Sequence, residues 1–199
     1  MAGYTDVGGF RTWYDEHGEG APLVLLHPGG AGVDARAWSP NLPTFVALSV
    51  ALRRPDLVRK LVLVAGVFHR DGWAPGVLDP DHAPPEFLER LYGEVSPDGP
   101  DHYSVVVAKL HRMHAEEPTL AIGELNSIRN RTLVMIGDDD EVTLEHAIAL
   151  YRGLTDGELS VVPGTSHGLL VEKPTLCNTI IVDFLITDPV PTMAPIRRA

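Results

Sequence analysis

Cysteine is almost absent from this sequence, which has one, Cys177, among 199 residues. A single thiol cannot form a disulfide within the chain, so a disulfide-stapled scaffold is excluded. Long apolar runs are also missing. Stretches such as residues 23–26 and 61–65 are far shorter than the roughly 20 residues that cross a bilayer. We therefore expect no membrane-spanning segment.

Positive charge is scarce too, because 16 Lys and Arg residues stand against 27 Asp and Glu residues and leave a net charge of −11. No cluster of basic residues offers a stripe for phosphate groups, which makes nucleic acid and anionic membrane surfaces poor partners. The first residues lack the charged and then apolar profile of a signal peptide. We expect a cytoplasmic protein.

Apolar residues alternate along the chain between the periods of strands and of helices, which predicts a mixed α/β fold. The strand patterns lie at residues 10–14, 23–26, 61–66, 132–136 and 158–162. The helix patterns between and after them lie at residues 46–54, 144–153 and 174–186. Strand 23–26, helix 46–54 and strand 61–66 are predicted to form a βαβ unit with two buried parallel strands.

Residues 67–130 have a different character, with seven prolines and no strand pattern. Helices are predicted there at residues 86–94, 102–115 and 119–127. This pattern is typical of a lid over a cleft, and a plain structural insertion fits the composition equally well. We therefore expect an α/β core at residues 1–66 and 131–188, a helical insertion at 67–130 and a frayed tail at 189–199.

Three loops follow predicted core strands, at residues 27–32, 137–140 and 164–168. Because ligands bind beyond the carboxyl ends of parallel strands, we expect these loops to converge on one edge of the sheet. They bring together a glycine-rich stretch, an aspartate and a histidine. Backbone N–H donors, a carboxylate and an imidazole base are what acyl transfer requires.

Four stretches resemble the α/β-hydrolases of the single-domain esterase, lactonase and haloperoxidase-like kind. They read LVLLHPGGAG, ALRRPDLVRKLVLVAG, TLVMIGDDDEVTLEHAIALYRGL and LSVVPGTSHGLLVEKP, in the order in which that family carries them. The resemblance implies a mostly parallel sheet flanked by helices, a helical lid, a small ester, lactone or acyl substrate, and no cofactor or metal. By the same resemblance Asp140 is the catalytic acid and His167 the general base, and the N–H of Gly29 or Gly30 belongs to the oxyanion hole.

The sequence departs from that family between the first glycine-rich loop and ALRRPDLV. Two strands, a helix and the nucleophile elbow G-x-S-x-G are missing, because WSPNLPTF runs directly into VALSVALRRPDLV. About 60 residues are absent, which corresponds to two crossover units of about 30 residues each. The resemblance therefore implies a shortened α/β-hydrolase with an incomplete catalytic triad and impaired or lost activity.

Two serines are weak candidates for the missing nucleophile. Ser166 lies in GTSHG, which satisfies the elbow pattern, but bulky residues follow it and no histidine comes after His167. Ser49 lies in ALSVA, where the Cβ atoms of Ala47 and Ala51 would crowd a tight turn.

Simpler interpretations of the acidic and histidine residues stay open from the sequence alone. Asp139 or Asp140 can cap a helix beginning near Thr143, and a lone loop histidine is often structural. Residues 138–141 lack the spacing of a calcium loop, and His111 with His114 lacks a third ligand.

The missing strands leave apolar surface without its original cover, which favours homodimerisation, strand exchange or aggregation. This gives a second functional hypothesis beside hydrolysis. In it, the chain is a catalytically inactive relative that acts as a binding or oligomerising module.

Overall fold

The computed structural model describes residues 2–16, 18–20, 22–26, 41–79 and 86–195. Within these residues the strands are β1 (Ala2–Val7), β2 (Phe10–Asp15), β3 (Lys60–Val64), β4 (Arg131–Gly137) and β5 (Gly157–Val162). The helices are α1 (Asn41–Arg53), α2 (Glu86–Val95), α3 (Tyr103–Glu116), α4 (Ile122–Leu125), α5 (Leu144–Gly153), α6 (Leu169–Glu172) and α7 (Pro174–Ile186).

Strands β1 and β2 form an antiparallel hairpin of their own, with Val7 opposite Phe10. The two residues between them, Gly8 and Gly9, have φ angles of 63° and 87°. Glycine adopts this left-handed conformation at no steric cost, and two such residues in succession match the twist of a tight hairpin.

Strands β3, β4 and β5 form a parallel sheet with β4 in the centre. Alternate residues of β4 face opposite sides, as the two-residue period of a strand requires. Val134 and Ile136 pack with α1 and α5 in one buried cluster. Leu133 and Met135 pack on the other side in a second cluster that includes Phe184 of α7. The structure therefore has the predicted α/β architecture, a parallel sheet flanked by helices.

The C-terminal helix α7 is fixed to β3 of the sheet at its C-terminal end. Pro174 occupies the start of the helix, where its missing N–H costs no hydrogen bond. The ammonium group of Lys60 donates to the carbonyl oxygens of Phe184 and Leu185 at 2.8 and 2.9 Å, and a cation is favoured at this end of a helix. Cys177 is fully buried in the second cluster, as its position in an apolar helix pattern predicts.

The sequence patterns of the C-terminal half are confirmed. Helices α5 and α7 have the predicted bounds. Strand β4 is one residue longer than predicted at each end, and β5 is one residue longer at its start. The predicted helix at 119–127 is wrong in extent, because only Ile122–Leu125 is helical. Ala121, the residue before Ile122, has extended backbone angles, so the helix begins only after it.

The prediction of a buried strand at residues 23–26 is wrong. These residues form neither helix nor strand, and their side chains are exposed by 39–76%. An apolar run predicts strand propensity, but a strand forms only when a neighbouring strand accepts its hydrogen bonds. The predicted βαβ unit is therefore not closed, and β3 pairs on one side only within the described part of the chain.

The described residues between β3 and β4 contain the helices α2, α3 and α4, as the sequence predicts for this insertion. Isolated bridges join His69 to Thr119 and Trp73 to Val142. None of the helices in the described ranges is long and apolar enough to cross a membrane.

Candidate functional site

Asp140 and His167 lie 27 residues apart in the chain and meet beyond the ends of β4 and β5. Nδ1 of His167 is 2.7 Å from Oδ1 of Asp140. The carboxylate side chain is fully buried, and the imidazole is 12% exposed. The structure thus brings together the two residues that the sequence singles out as an acid and a base.

Main-chain N–H groups hold the carboxylate of Asp140 in place. The N–H of Val142 donates to Oδ1 at 3.0 Å, and the N–H of Gly137 donates to Oδ2 at 3.2 Å. A carboxylate oxygen accepts hydrogen bonds, so Nδ1 of His167 carries the proton that they share. In the neutral ring Nε2 then has a free lone pair, which is the form that a general base requires.

The Nε2 atom of His167 is buried and has no hydrogen-bond partner among the described residues. The ring of Trp73 lies beside it, with ring centroids 6.1 Å apart, and its Nε1 is likewise buried without a partner. Trp73 is positioned by its bridge to Val142 and by the N–H of Ala74, which donates to the carbonyl of Glu141 at 2.7 Å. One acceptor and one donor therefore lie unpaired in adjacent rings.

His114 of α3 lies against the indole of Trp73 as well, with ring centroids 5.4 Å apart. Burial lowers the pKa of His114, and the nearby His111 and His167 lower it further. Helix α3 therefore contributes an aromatic contact to Trp73, the residue beside the Asp140 and His167 pair.

Trp73 also lines an open groove of about 530 Å³. The other lining residues are Arg70, Ala74, Gly76, Leu78 and Asp79. The volume falls within the range of sites for small molecules.

The loop that carries His167 is tied to the end of β4 by Asp138. Oδ1 of Asp138 accepts the N–H of Thr165 at 3.1 Å, and the N–H of Asp139 donates to the carbonyl of Thr165 at 3.1 Å. Hydrogen bonds from the backbone N–H groups of Gly164 and Thr165 lower the pKa of Asp138. Asp138 is therefore a positioning residue, and the sequence analysis did not identify that role.

Neither candidate serine is hydrogen-bonded to His167. The hydroxyl of Ser166 donates to Oε1 of Glu172 at 2.6 Å, and its N–H donates to Oε2 at 2.8 Å. These bonds lower the pKa of Glu172. Ser49 lies inside helix α1, whereas an elbow serine lies on a strand-to-helix turn. Gly29 and Gly30 lie outside the described residues.

The helix-capping interpretation of Asp139 and Asp140 is wrong. Thr143 caps α5, and its hydroxyl accepts the N–H of His146 at 3.3 Å. Groups of three or more His, Cys, Asp or Glu side chains suited to a metal ion do not occur within the described residues.

The first turn of α5 carries a structural histidine, His146, that the sequence analysis missed. Nε2 of His146 accepts the N–H of Phe68 at 3.1 Å, and the two rings stack with centroids 4.1 Å apart. Burial, aided by His69, lowers the pKa of His146 to about 4. His146 is therefore uncharged at neutral pH and serves as an acceptor in the core.

No protein-family model and no curated protein sequence matches the chain. Many solved structures do. One is a serine hydrolase involved in carbazole degradation, the CarC enzyme, with a TM-score of 0.55 and 18% identity. Another is a meta-cleavage product hydrolase from Pseudomonas fluorescens IP01, with a TM-score of 0.51 and 17% identity. A third is a 2-hydroxy-6-oxo-6-phenylhexa-2,4-dienoate hydrolase from Rhodococcus sp. strain RHA1, with a TM-score of 0.52 and 15% identity.

These alignments cover 73%, 80% and 74% of this chain, respectively. They cover only 61%, 62% and 62% of the three hydrolases. The chain thus spans less than two thirds of the length of the proteins that it resembles. At such low sequence identity the likeness concerns the fold.

Proposed function

We propose that this chain, whose fold is that of the α/β-hydrolases, is a hydrolase-type protein that acts on a small ester, lactone or related acyl substrate through Asp140 and His167. The observation that carries the proposal is the 2.7 Å contact between Nδ1 of His167 and a fully buried carboxylate. It leaves Nε2, the basic atom of the imidazole, unpaired within the described residues.

In the proposed reaction Nε2 of His167 removes a proton from water as the water oxygen attacks the acyl carbon. Asp140 holds the ring in the tautomer with the proton on Nδ1 and stabilises the imidazolium that forms. His167 then returns the proton to the leaving alkoxide as the bond between the acyl carbon and that oxygen breaks. The products are a carboxylic acid and an alcohol, or a hydroxy acid from a lactone.

Water is proposed as the nucleophile because the family resemblance implies that the elbow segment is missing from the sequence. The hydroxyl of Ser166 is bonded to Glu172, and Ser49 lies within a helix. Hydrolysis without a covalent intermediate loses much of the rate that an activated serine supplies, so we expect slow turnover.

The substrate is proposed to enter by the groove that Trp73 lines, and residues 67–130, which supply the lining of that groove, are proposed to act as a lid. We further propose that the N–H of Gly29 or Gly30 donates to the oxyanion, as the family resemblance implies. The groove accepts a small molecule by its volume of about 530 Å³.

Hydrolysis of p-nitrophenyl acetate by the wild type and the variants His167→Ala and His111→Ala tests the proposal. His111 lies on the same helix as His114 and is not part of the Asp140–His167 pair, so it serves as the matched control. We expect His167→Ala to remove catalysis and His111→Ala to retain it. Equal rates for all three proteins would contradict the proposal.

Labelling with a fluorophosphonate in the same samples identifies the nucleophile, because this probe reacts with activated serines. Hydrolysis without labelling supports water as the nucleophile. Stoichiometric labelling would overturn that step and assign the attack to a serine.

A second candidate function is that of a binding or oligomerising module without turnover. Residues 23–26 favour it, because they present four apolar side chains that are 39–76% exposed. Exposed apolar segments of this kind commonly mark contact surfaces.

A further inference from the structure

Strand β3 has a free edge in the described part of the chain. Its residues pair with β4 on one side, and the N–H of Ala65 continues that ladder by donating to the carbonyl of Met135 at 2.7 Å. Because main-chain groups alternate in direction along a strand, those of Val62 and Val64 point away from β4. An edge with unpaired main-chain groups is a template for another strand.

Residues 23–26 are the apolar counterpart of that edge. They read Leu-Val-Leu-Leu, carry no charge and are exposed by 58%, 76%, 55% and 39%, respectively. Such a run is typical of a strand buried on both faces of a parallel sheet. In this structure it is outside the sheet and outside both buried clusters.

We propose that residues 23–26 of a second copy of this chain add as a strand to the free edge of β3, and that the exchange is reciprocal. Each copy offers one apolar run and one open edge, so a two-fold arrangement covers both runs and both edges and then closes. This inference deepens the oligomerising function named above and does not depend on hydrolysis.

The edge of β3 is a better acceptor than the outer edge of β5. Lys60 is the only charged residue of β3, and its ammonium is engaged by carbonyl oxygens at the end of α7. Strand β5 carries Glu158, which pairs with Arg131 at 2.7 Å, and Ser160. Charged and polar residues on an edge strand discourage further pairing. In β3 the charge lies at the first residue and the following four, Leu61–Val64, are apolar, whereas in β5 the charged and polar residues lie within the strand.

The placement of residues 22–26 favours pairing of the β3 edge with the run of a second copy over pairing with the run of the same chain. They are described, and they do not pair with the β3 of their own chain.

Light scattering after size-exclusion chromatography measures the mass of the wild type, Val24→Lys and Val190→Lys over a range of concentrations. The two valines are matched, because Val24 is 76% exposed and Val190 is 79% exposed. We expect a dimer for the wild type and for Val190→Lys. A lysine in the exchanged strand should raise the dissociation constant of the dimer by about tenfold or more, since a charge would be placed on the sheet.

A complementation experiment distinguishes strand exchange from non-specific association. Val62→Pro removes an N–H that points away from β4, so it blocks the edge without breaking the ladder to β4. We expect Val62→Pro and Val24→Lys each to dimerise about tenfold or more weakly than the wild type when alone. Their mixture should form a heterodimer, in which the intact run of one chain adds to the intact edge of the other.

Three results would overturn the proposal. The first is a wild type that stays monomeric at every soluble concentration, and the second is an equal effect of lysine at positions 24 and 190. The third is a monomer that Val24→Lys destabilises in a thermal melt, because the run would then pair with its own β3. The hydrolysis rate per chain, measured on the same fractions, reports on Asp140 and His167 separately.

Discussion

Gly137 lies directly against the loop that carries the histidine, so that a Cβ at this position would overlap the carbonyl oxygen of Thr165. The same Cβ would lie 2.6 Å from the carbonyl oxygen of Ser166. Both oxygens are part of the main chain and cannot rotate away. The close approach places the end of β4 and the loop after β5 at the distance that the Asp140 and His167 pair requires.

We expect Gly137→Ala to displace the histidine loop and to lower the free energy of unfolding by about 1–3 kcal/mol, the cost of overpacking. Hydrolysis should fall with it. Gly123→Ala is the matched control, because a Cβ at position 123 meets nothing within 4 Å and alanine favours the helix α4. Urea unfolding and esterase rates check both variants, and equal behaviour would contradict the role given to Gly137.

Asp140→Asn should reduce the hydrolysis rate by about 10²- to 10⁴-fold, the range for general acid and base catalysis. The amide cannot hold His167 in the tautomer with the proton on Nδ1 as a carboxylate does. Asp139→Asn, at the exposed neighbouring position, should leave the rate unchanged. Circular dichroism confirms folding of both proteins, and a rate retained in folded Asp140→Asn would remove the residue from the mechanism.

Ser166→Ala should keep hydrolysis, because the hydroxyl is bonded to Glu172 and does not act as the nucleophile. Loss of that exposed bond should lower the melting temperature only slightly, because water can replace it. Glu172→Gln serves as the comparison, since it weakens the same contact from the other side. Steady-state kinetics and thermal melts measure the two effects, and a loss of all activity in Ser166→Ala alone would identify a serine enzyme.

Stability should fall as the pH is lowered from 6.5 towards 4, through His146. Its pKa is about 4 in the folded chain, below the usual histidine value of about 6.5, so the unfolded chain binds the proton more readily in this window. Protonation of Nε2 also breaks the bond from the N–H of Phe68. Urea unfolding at a series of pH values measures the slope.

His146→Gln is the control for that slope, because its amide oxygen can still accept a hydrogen bond but does not titrate in this range. We expect a flatter pH dependence for this variant. An unchanged slope would assign the pH dependence to other groups.

Local sequence patterns predict the elements of the C-terminal half well. The helices at Leu144–Gly153 and Pro174–Ile186 follow from apolar periodicity and their bounding residues, and these signals are local. Residues 23–26 give a strand signal of the same kind, yet they form no strand. Whether a run pairs depends on a neighbouring edge, which local periodicity does not describe.

The candidate site likewise combines residues that local sequence signals identify with residues that only the three-dimensional contacts identify. Motif spacing brings Asp140 and His167 to attention, and the structure places them in contact. Trp73 gives no such signal, because it reaches His167 only through a bridge to Val142. The need for glycine at 137 depends on a loop about 28 residues later in the chain, so it becomes evident only when both are seen together.

The acid and base pair is built almost entirely from one continuous stretch of chain, from β4 to α7. Its two members are 27 residues apart in sequence. Asp138 and Thr165, whose hydrogen bond ties the two loops together, have the same separation in sequence. Contacts of short sequence separation form early in folding because they close small loops. In refolding, this stretch can therefore bring its imidazole and carboxylate together before β3, which is about 70 residues away from its partner in β4, joins the sheet. Within the parallel sheet, amide protons that bond β4 to β5 should gain protection from exchange before those that bond β3 to β4.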